Sequence, residues 1–149
     1  MGNLLQGHIA LVTGAGSGIG QGVAVGYAAE GARVIAADIN AAGAAETAAM
    51  IAKAGGDASS YALDVTDAAA CRALAEIVER DIGQVSVLVN NAGIVRRALI
   101  TSDTAVQDWS DVLSVNIHGV FNVTHAFLDA LKARKGRIIN LGSIQSFVH

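Results

Sequence analysis

Thr13-Gly14-Ala15-Gly16-Ser17-Gly18-Ile19-Gly20 follows directly on the apolar run Ile9-Ala10-Leu11-Val12. The run is short and uninterrupted, which reads as a buried strand. A helix is predicted from Gly18 to about Glu30, closed by Gly31 as C-cap. The glycines between strand and helix meet three demands: a sharp turn, approach of a pyrophosphate to the backbone, and close packing of helix on strand. Gly14 suits the first, Gly18 the helix start and Gly20 the packing, because glycine has no Cβ. The helix start offers N–H groups and a positive dipole end to phosphates. A glycine cluster alone could be a mobile loop. Set between an apolar strand and a helix, this one reads as a nucleotide-binding turn.

Working outward, Arg33–Asp38 is a second predicted strand, and Ala41 to Lys53 an alanine-rich helix stopped by Gly55-Gly56. Ser60–Leu63 reads as a third strand ending at Asp64. Thr66 or Asp67 caps a helix running to about Arg80. Val85–Val89 is the fourth strand, followed by a loop from Asn90 to about Thr104. Ala105 to about Ala133 is helical, as one helix or two, with Gly119 a weak point. After Gly136, Arg137–Leu141 forms a fifth strand that delivers Ser143 at its carboxyl end. Strands alternating with helices imply βαβ units and a parallel sheet with right-handed crossovers. At 149 residues, one domain over residues 1–149 is expected.

Composition agrees. Apolar residues make up 52% of the chain and charged residues 15%, which suits a parallel sheet covered on both faces. The formal charge of −3 and the lack of a basic run argue against nucleic acid as a partner. The stretch from Met1 to His8 is not a secretory signal, and apolar runs are too interrupted for a membrane span. A cytoplasmic location fits. Cys71 is the only cysteine and reads as a small buried apolar residue. His8, His118, His125 and His149 lack metal-ligand spacing, so no metal site is expected. Proline is absent, so glycine must punctuate the elements.

Asp38 ends the second strand. A carboxylate there can accept hydrogen bonds from adenosine ribose hydroxyls and repels a 2′-phosphate, and the glycine turn holds no Lys or Arg to offset it. NAD is therefore expected over NADP. The plainer reading is a turn or N-cap aspartate. Arg96-Arg97 could receive a substrate carboxylate, although a solvated loop is the simpler account. Trp109 is expected to pack the start of a helix.

Together the Thr-Gly-x-x-x-Gly-Ile-Gly turn, Asn90-Asn91-Ala92-Gly93, Asn116 and Ser143 resemble the short-chain dehydrogenase/reductase family. The resemblance implies a Rossmann-type, doubly wound sheet of strand order 3-2-1-4-5, incomplete at its C-terminal edge. It implies cofactor contacts at Gly14, Ser17, Gly18, Ile19, Gly20, Asp38, Ile39, Asp64, Val65, Asn91, Ala92 and Gly93. Asp64-Val65 would border the adenine. Asn116 would hold a water in a proton relay, and Ser143 would hydrogen-bond the reacting oxygen of a small alcohol or ketone substrate. Homo-oligomers are common in the family. An open fifth strand and apolar residues near Val120, Val123 and Phe127 would then face solvent or a neighbour.

In such enzymes a Tyr-x-x-x-Lys pair supplies the acid/base group, a contribution of about 10²–10⁴-fold. The only tyrosines here are Tyr27 and Tyr61, and the positions four residues later hold Gly31 and Val65. A truncated form, inactive alone, is the expectation. A non-catalytic dinucleotide-binding module or a degenerate gene product are the other readings. The run Asn-Asn-Ala-Gly-Ile-x-Arg-Arg looks like the gluconate and 2-keto-3-deoxygluconate dehydrogenase-like branch, with 3-oxoacyl carrier-protein reductases as the alternative.

Overall fold

The computed structural model describes residues 3–97 and 99–143. Strands β1 (Ile9–Thr13), β2 (Arg33–Asp38), β3 (Asp57–Ala62), β4 (Val87–Asn90) and β5 (Arg137–Asn140) form one parallel sheet of order β3-β2-β1-β4-β5. The helices are α1 (Gly18–Ala29), α2 (Ala41–Lys53), α3 (Ala68–Asp81), α4 (Ala105–Leu113), α5 (Val120–Ala126) and α6 (Leu128–Ala133). This is the doubly wound α/β arrangement.

Alternate residues of a strand point to opposite faces. Ala10, Val12, Val34, Ala36, Val87 and Val89 bury against Ala24 and Ala28 of α1 and Ile51 of α2. Leu11, Ile35 and Leu88 bury on the other face with Leu74 and Val78 of α3, Val123 of α5, Leu131 of α6, and Phe127 between α5 and α6. Burial on both faces is why the inner strands read as unbroken apolar runs. Asp67 caps α3, its side chain accepting from the N–H groups of Ala69 and Ala70, and Asn40 caps α2 through Gly43 N–H. Ser17 stands at the N-cap of α1 without a side-chain capping bond.

Several boundaries differ from the sequence reading. β3 starts at Asp57 rather than Ser60, because it is a polar edge strand with no apolar run to mark it; Asp57 pairs in register with Arg33, and their side chains form an ion pair at 3.2 Å. β4 starts at Val87, with Ser86 already bonded through its N–H to Ile9 O at 2.9 Å.

The long helix is interrupted. Ser114–Gly119 is a π-helical turn, and Phe127 separates α5 from α6. Val123 and Phe127, expected at the surface, are 0% and 2% exposed. Val123, Phe127 and Leu131 recur every fourth residue, and this is the stripe that packs on the sheet. Ile117 and Phe121 face outward instead. Trp109, expected to pack, is 67% exposed, since α4 buries none of its residues. As expected, β5 is an open edge with all four residues exposed. Among the described residues, no helix is long and apolar enough to cross a membrane.

Candidate functional site

The turns after β1 and β4 are laced together. Thr13 Oγ1 accepts from the N–H groups of Asn91 and Ala92, each at 3.1 Å, and donates to Val89 O at 3.3 Å. The Asn91 side-chain amide donates to Thr13 O at 2.9 Å and Gly14 O at 3.1 Å. A Cβ on Gly20 would overlap the Gly14 carbonyl and the Asn91 amide, so the start of α1 can approach only without a side chain there. Gly18, at φ 56°, has no atom within 4 Å of where its Cβ would project. That space belongs to the cleft.

The Asp38 carboxylate is held on both oxygens. Oδ2 accepts from Gly16 N–H at 2.8 Å and Oδ1 from Asn40 N–H at 2.8 Å. These two bonds are those of a turn aspartate, and they fix the carboxylate beside the glycine turn. Asp64 Oδ1 accepts from the N–H of Thr66 at 2.9 Å and from its hydroxyl at 2.7 Å, which fixes the loop after β3.

Every residue expected to touch the cofactor lines one cleft of about 420 Å³: Gly14, Ser17, Gly18, Ile19, Gly20, Asp38, Ile39, Asp64, Val65, Asn91, Ala92 and Gly93. Leu63, Ile94 and Val115 line it too and were not anticipated. Among the described residues, the lining carries two carboxylates, Asp38 and Asp64, and no Lys, Arg or His. The uncapped first turn of α1 opens onto this space, which suits a phosphate group.

A family model described as short chain dehydrogenase matches residues 8–149. The chain belongs to this family. D-threitol dehydrogenase of Mycolicibacterium smegmatis is 41% identical over 140 residues, covering 93% of this chain and 54% of that protein. The 3-oxoacyl acyl-carrier-protein reductase of Thermotoga maritima is 40% identical over 141 residues, covering 94% and 57%. A gluconate 5-dehydrogenase from Burkholderia cenocepacia, solved with NADP and tartrate, is 39% identical with a TM-score of 0.89, covering 97% of this chain and 57% of that one. The chain thus spans little more than half the length of these relatives. Short-chain dehydrogenases are oxidoreductases that bind a nicotinamide cofactor and act on small molecules.

Within this short-chain dehydrogenase chain, Asn116 sits in the π-helical turn, beside Gly93. Its Oδ1 accepts from Ile94 N–H and its Nδ2 donates to Ile94 O, both at 2.9 Å. Ser143 is exposed beyond the end of β5. Neither Asn116 nor Ser143 lines the cleft. The end of β5 is set by Asn90, whose Nδ2 donates to Asn140 Oδ1 at 2.8 Å and Thr124 Oγ1 at 3.1 Å. The positions of Thr13 and Asn90 at the carboxyl ends of β1 and β4 were the signal for their roles.

Tyr27 and Tyr61 pack against the two apolar cores and stay out of the cleft. Arg96 reaches α4, with Nε 3.6 Å from Asp108 and a terminal nitrogen 3.7 Å from Asp111. Arg97 is exposed and forms no ion pair among the described residues. His8 Nδ1 lies 2.9 Å from Ser86 Oγ, and His125 stacks on Phe121. Among the described residues, no group of three or more His, Cys, Asp or Glu could hold a metal ion.

Proposed function

We propose that this chain binds NAD(H) in the cleft and is the dinucleotide-binding unit, over residues 1–149, of an NAD-dependent oxidoreductase. The reaction is hydride transfer between nicotinamide and a secondary alcohol or ketone, with polyols or sugar acids as the substrate class. One observation carries this reading: the glycine turn, the Asp38 carboxylate and the Asn91–Gly93 turn converge on a cleft whose described lining residues include no cationic side chain. The nicotinamide supplies the hydride-accepting or hydride-donating ring. The first turn of α1 receives the pyrophosphate. Asp38 accepts from the ribose hydroxyls, and a 2′-phosphate would face that carboxylate with no cation among the described lining residues to offset it. This favours NAD for the present chain, although the Burkholderia relative was solved with NADP.

The substrate class rests on likeness to D-threitol dehydrogenase and gluconate 5-dehydrogenase. The 40% identity to the Thermotoga reductase favours a second reading, reduction of a 3-oxoacyl thioester. In this reading Ser143 would hydrogen-bond the reacting oxygen and Asn116, its amide held by Ile94, would hold a water; neither is a proton acceptor near neutral pH. The 149 residues contain no Tyr-x-x-x-Lys sequence. Binding and turnover therefore separate in this polypeptide. Self-association along the exposed side chains of Val106, Trp109, Ile117 and Phe121 belongs to the same reading, and sedimentation checks it.

Calorimetry with NADH and NADPH tests the cofactor. NADH binds more tightly, and Asp38→Ala narrows the gap. Tighter NADPH binding overturns the NAD assignment, and binding of neither overturns the site. Assays of the 149-residue chain on threitol, gluconate and a 3-oxoacyl thioester should show no turnover. Activity that Ser143→Ala abolishes would show that an acid/base group acts here.

A further inference from the structure

The peptide unit joining Ala15 to Gly16 is gripped at both ends. Its carbonyl, on Ala15, accepts from Thr47 Oγ1 at 2.7 Å, and its N–H, on Gly16, donates to Asp38 Oδ2 at 2.8 Å. Thr47 comes from α2 and is wholly buried. Its hydroxyl also accepts from Gln21 Nε2 of α1 at 3.0 Å and lies 3.1 Å from Gly43 O. Close packing reinforces the grip: a Cβ on Gly43 would come within 2.7 Å of Gly16 O. One buried hydroxyl therefore joins both helices on this face to the glycine turn.

We infer that Thr47 is a positioning residue for Asp38 and, through it, sets the selectivity of the cleft between NAD(H) and its 2′-phosphorylated form. The inference rests on the proposed dinucleotide site. Thr47 does not line the cleft, so it acts through the peptide. A peptide unit is planar, so the direction of its carbonyl fixes the direction of its N–H. Without the hydroxyl, Ala15 O is left buried and without its side-chain donor, since Ala15 is 0% exposed. An unsatisfied buried carbonyl is relieved by rotation of the unit toward another donor. That rotation turns Gly16 N–H away from Asp38. The carboxylate then keeps only its bond from Asn40 N–H and turns more freely about its own side-chain bonds. Aim at the ribose hydroxyls is weakened, and so is the fixed negative charge opposing a 2′-phosphate.

The test is the ratio of NADH to NADPH affinity in the 149-residue chain, measured by calorimetry. Thr47→Val keeps the shape and removes the donor. It should lower the ratio by about threefold to tenfold, the range that loss of one net hydrogen bond allows. Thr47→Ser should restore it. In an Asp38→Ala background, Thr47→Val should change the ratio no further, because the two act in series. A purely structural role would lower the melting temperature of Thr47→Val and leave the ratio untouched, and that result overturns the inference alone. Should Thr47→Val not fold, Thr47→Ala removes the same donor from a smaller side chain and carries the same expectation. An unaltered chain that binds neither dinucleotide, or prefers NADPH, overturns the underlying reading and this inference with it.

Discussion

The side chain of Asn116 and the backbone of Ile94 pair in both directions, each bond 2.9 Å long. The amide acts as a detached stretch of strand, giving the loop after β4 the partners it would have in a sheet. Asn116→Leu removes both bonds from a half-buried site and should cost about 1–3 kcal/mol, read from urea unfolding. Asn116→Asp should cost more near neutral pH. Its carboxylate still accepts from Ile94 N–H but faces the Ile94 carbonyl with no hydrogen to offer.

Gly20→Ala should be destabilising by about 1–3 kcal/mol, because the added methyl has only backbone and the Asn91 amide to displace. It also pushes α1 away from the turn, so NADH affinity should fall by more than thermal stability alone accounts for. Melting curves and calorimetry on the same sample separate the two.

Two phenylalanines on the same helical stretch should behave oppositely. Phe127, 2% exposed, sits in the core under α3, and Phe127→Ala should cost about 3–5 kcal/mol. Phe121 is 66% exposed and stacks on His125, so Phe121→Ala should stay within about 0.5 kcal/mol. Urea midpoints for the pair check whether the burial stripe runs as described.

Burial pushes the Cys71 thiol up to about 11 from its ordinary 9.0, helped by the nearby Asp67 and Asp64 carboxylates. Its thiolate fraction at pH 8 is therefore very small, and iodoacetamide should label the native chain negligibly and the urea-unfolded chain fully. The folded state holds this proton more tightly than the unfolded state. The associated stability is complete below pH 9 and is lost as pH rises through about 11. Cys71→Ala should remove that part of the alkaline loss.

Much of the architecture could be read from local features. The glycine turn after Ile9–Val12 marked β1 and α1, and the alternation of apolar runs with helices marked the parallel sheet. The residues expected at the cofactor line one cleft, because they lie at or just beyond the carboxyl ends of strands, whereas Asn116 and Ser143 do not line it. What escaped is long-range. Thr47 looks like filler in an alanine-rich helix, and its importance depends on Ala15 lying beside it in space, far away in sequence. Val123 and Phe127, expected at the surface because the sheet reads as open at its far edge, pack inward on the strands that are present, with Leu131, against Leu88 and α3. Trp109 misled because a helix that buries nothing has no obligation to tuck its aromatic inward.

The bare first turn of α1 has a thermodynamic corollary. A helix without a side-chain cap forgoes about 0.5–2 kcal/mol that Ser, Asp or Asn at that position commonly contributes. A ligand that takes up those N–H groups makes good the deficit in the folded state only. Folding and occupancy are then linked by mass action, so if the proposed dinucleotide is that ligand, the melting temperature should rise with its concentration. At about one hundred times the dissociation constant the gain is about 2.7 kcal/mol. In a cell, the lifetime of this polypeptide would thus track the size of the nucleotide pool.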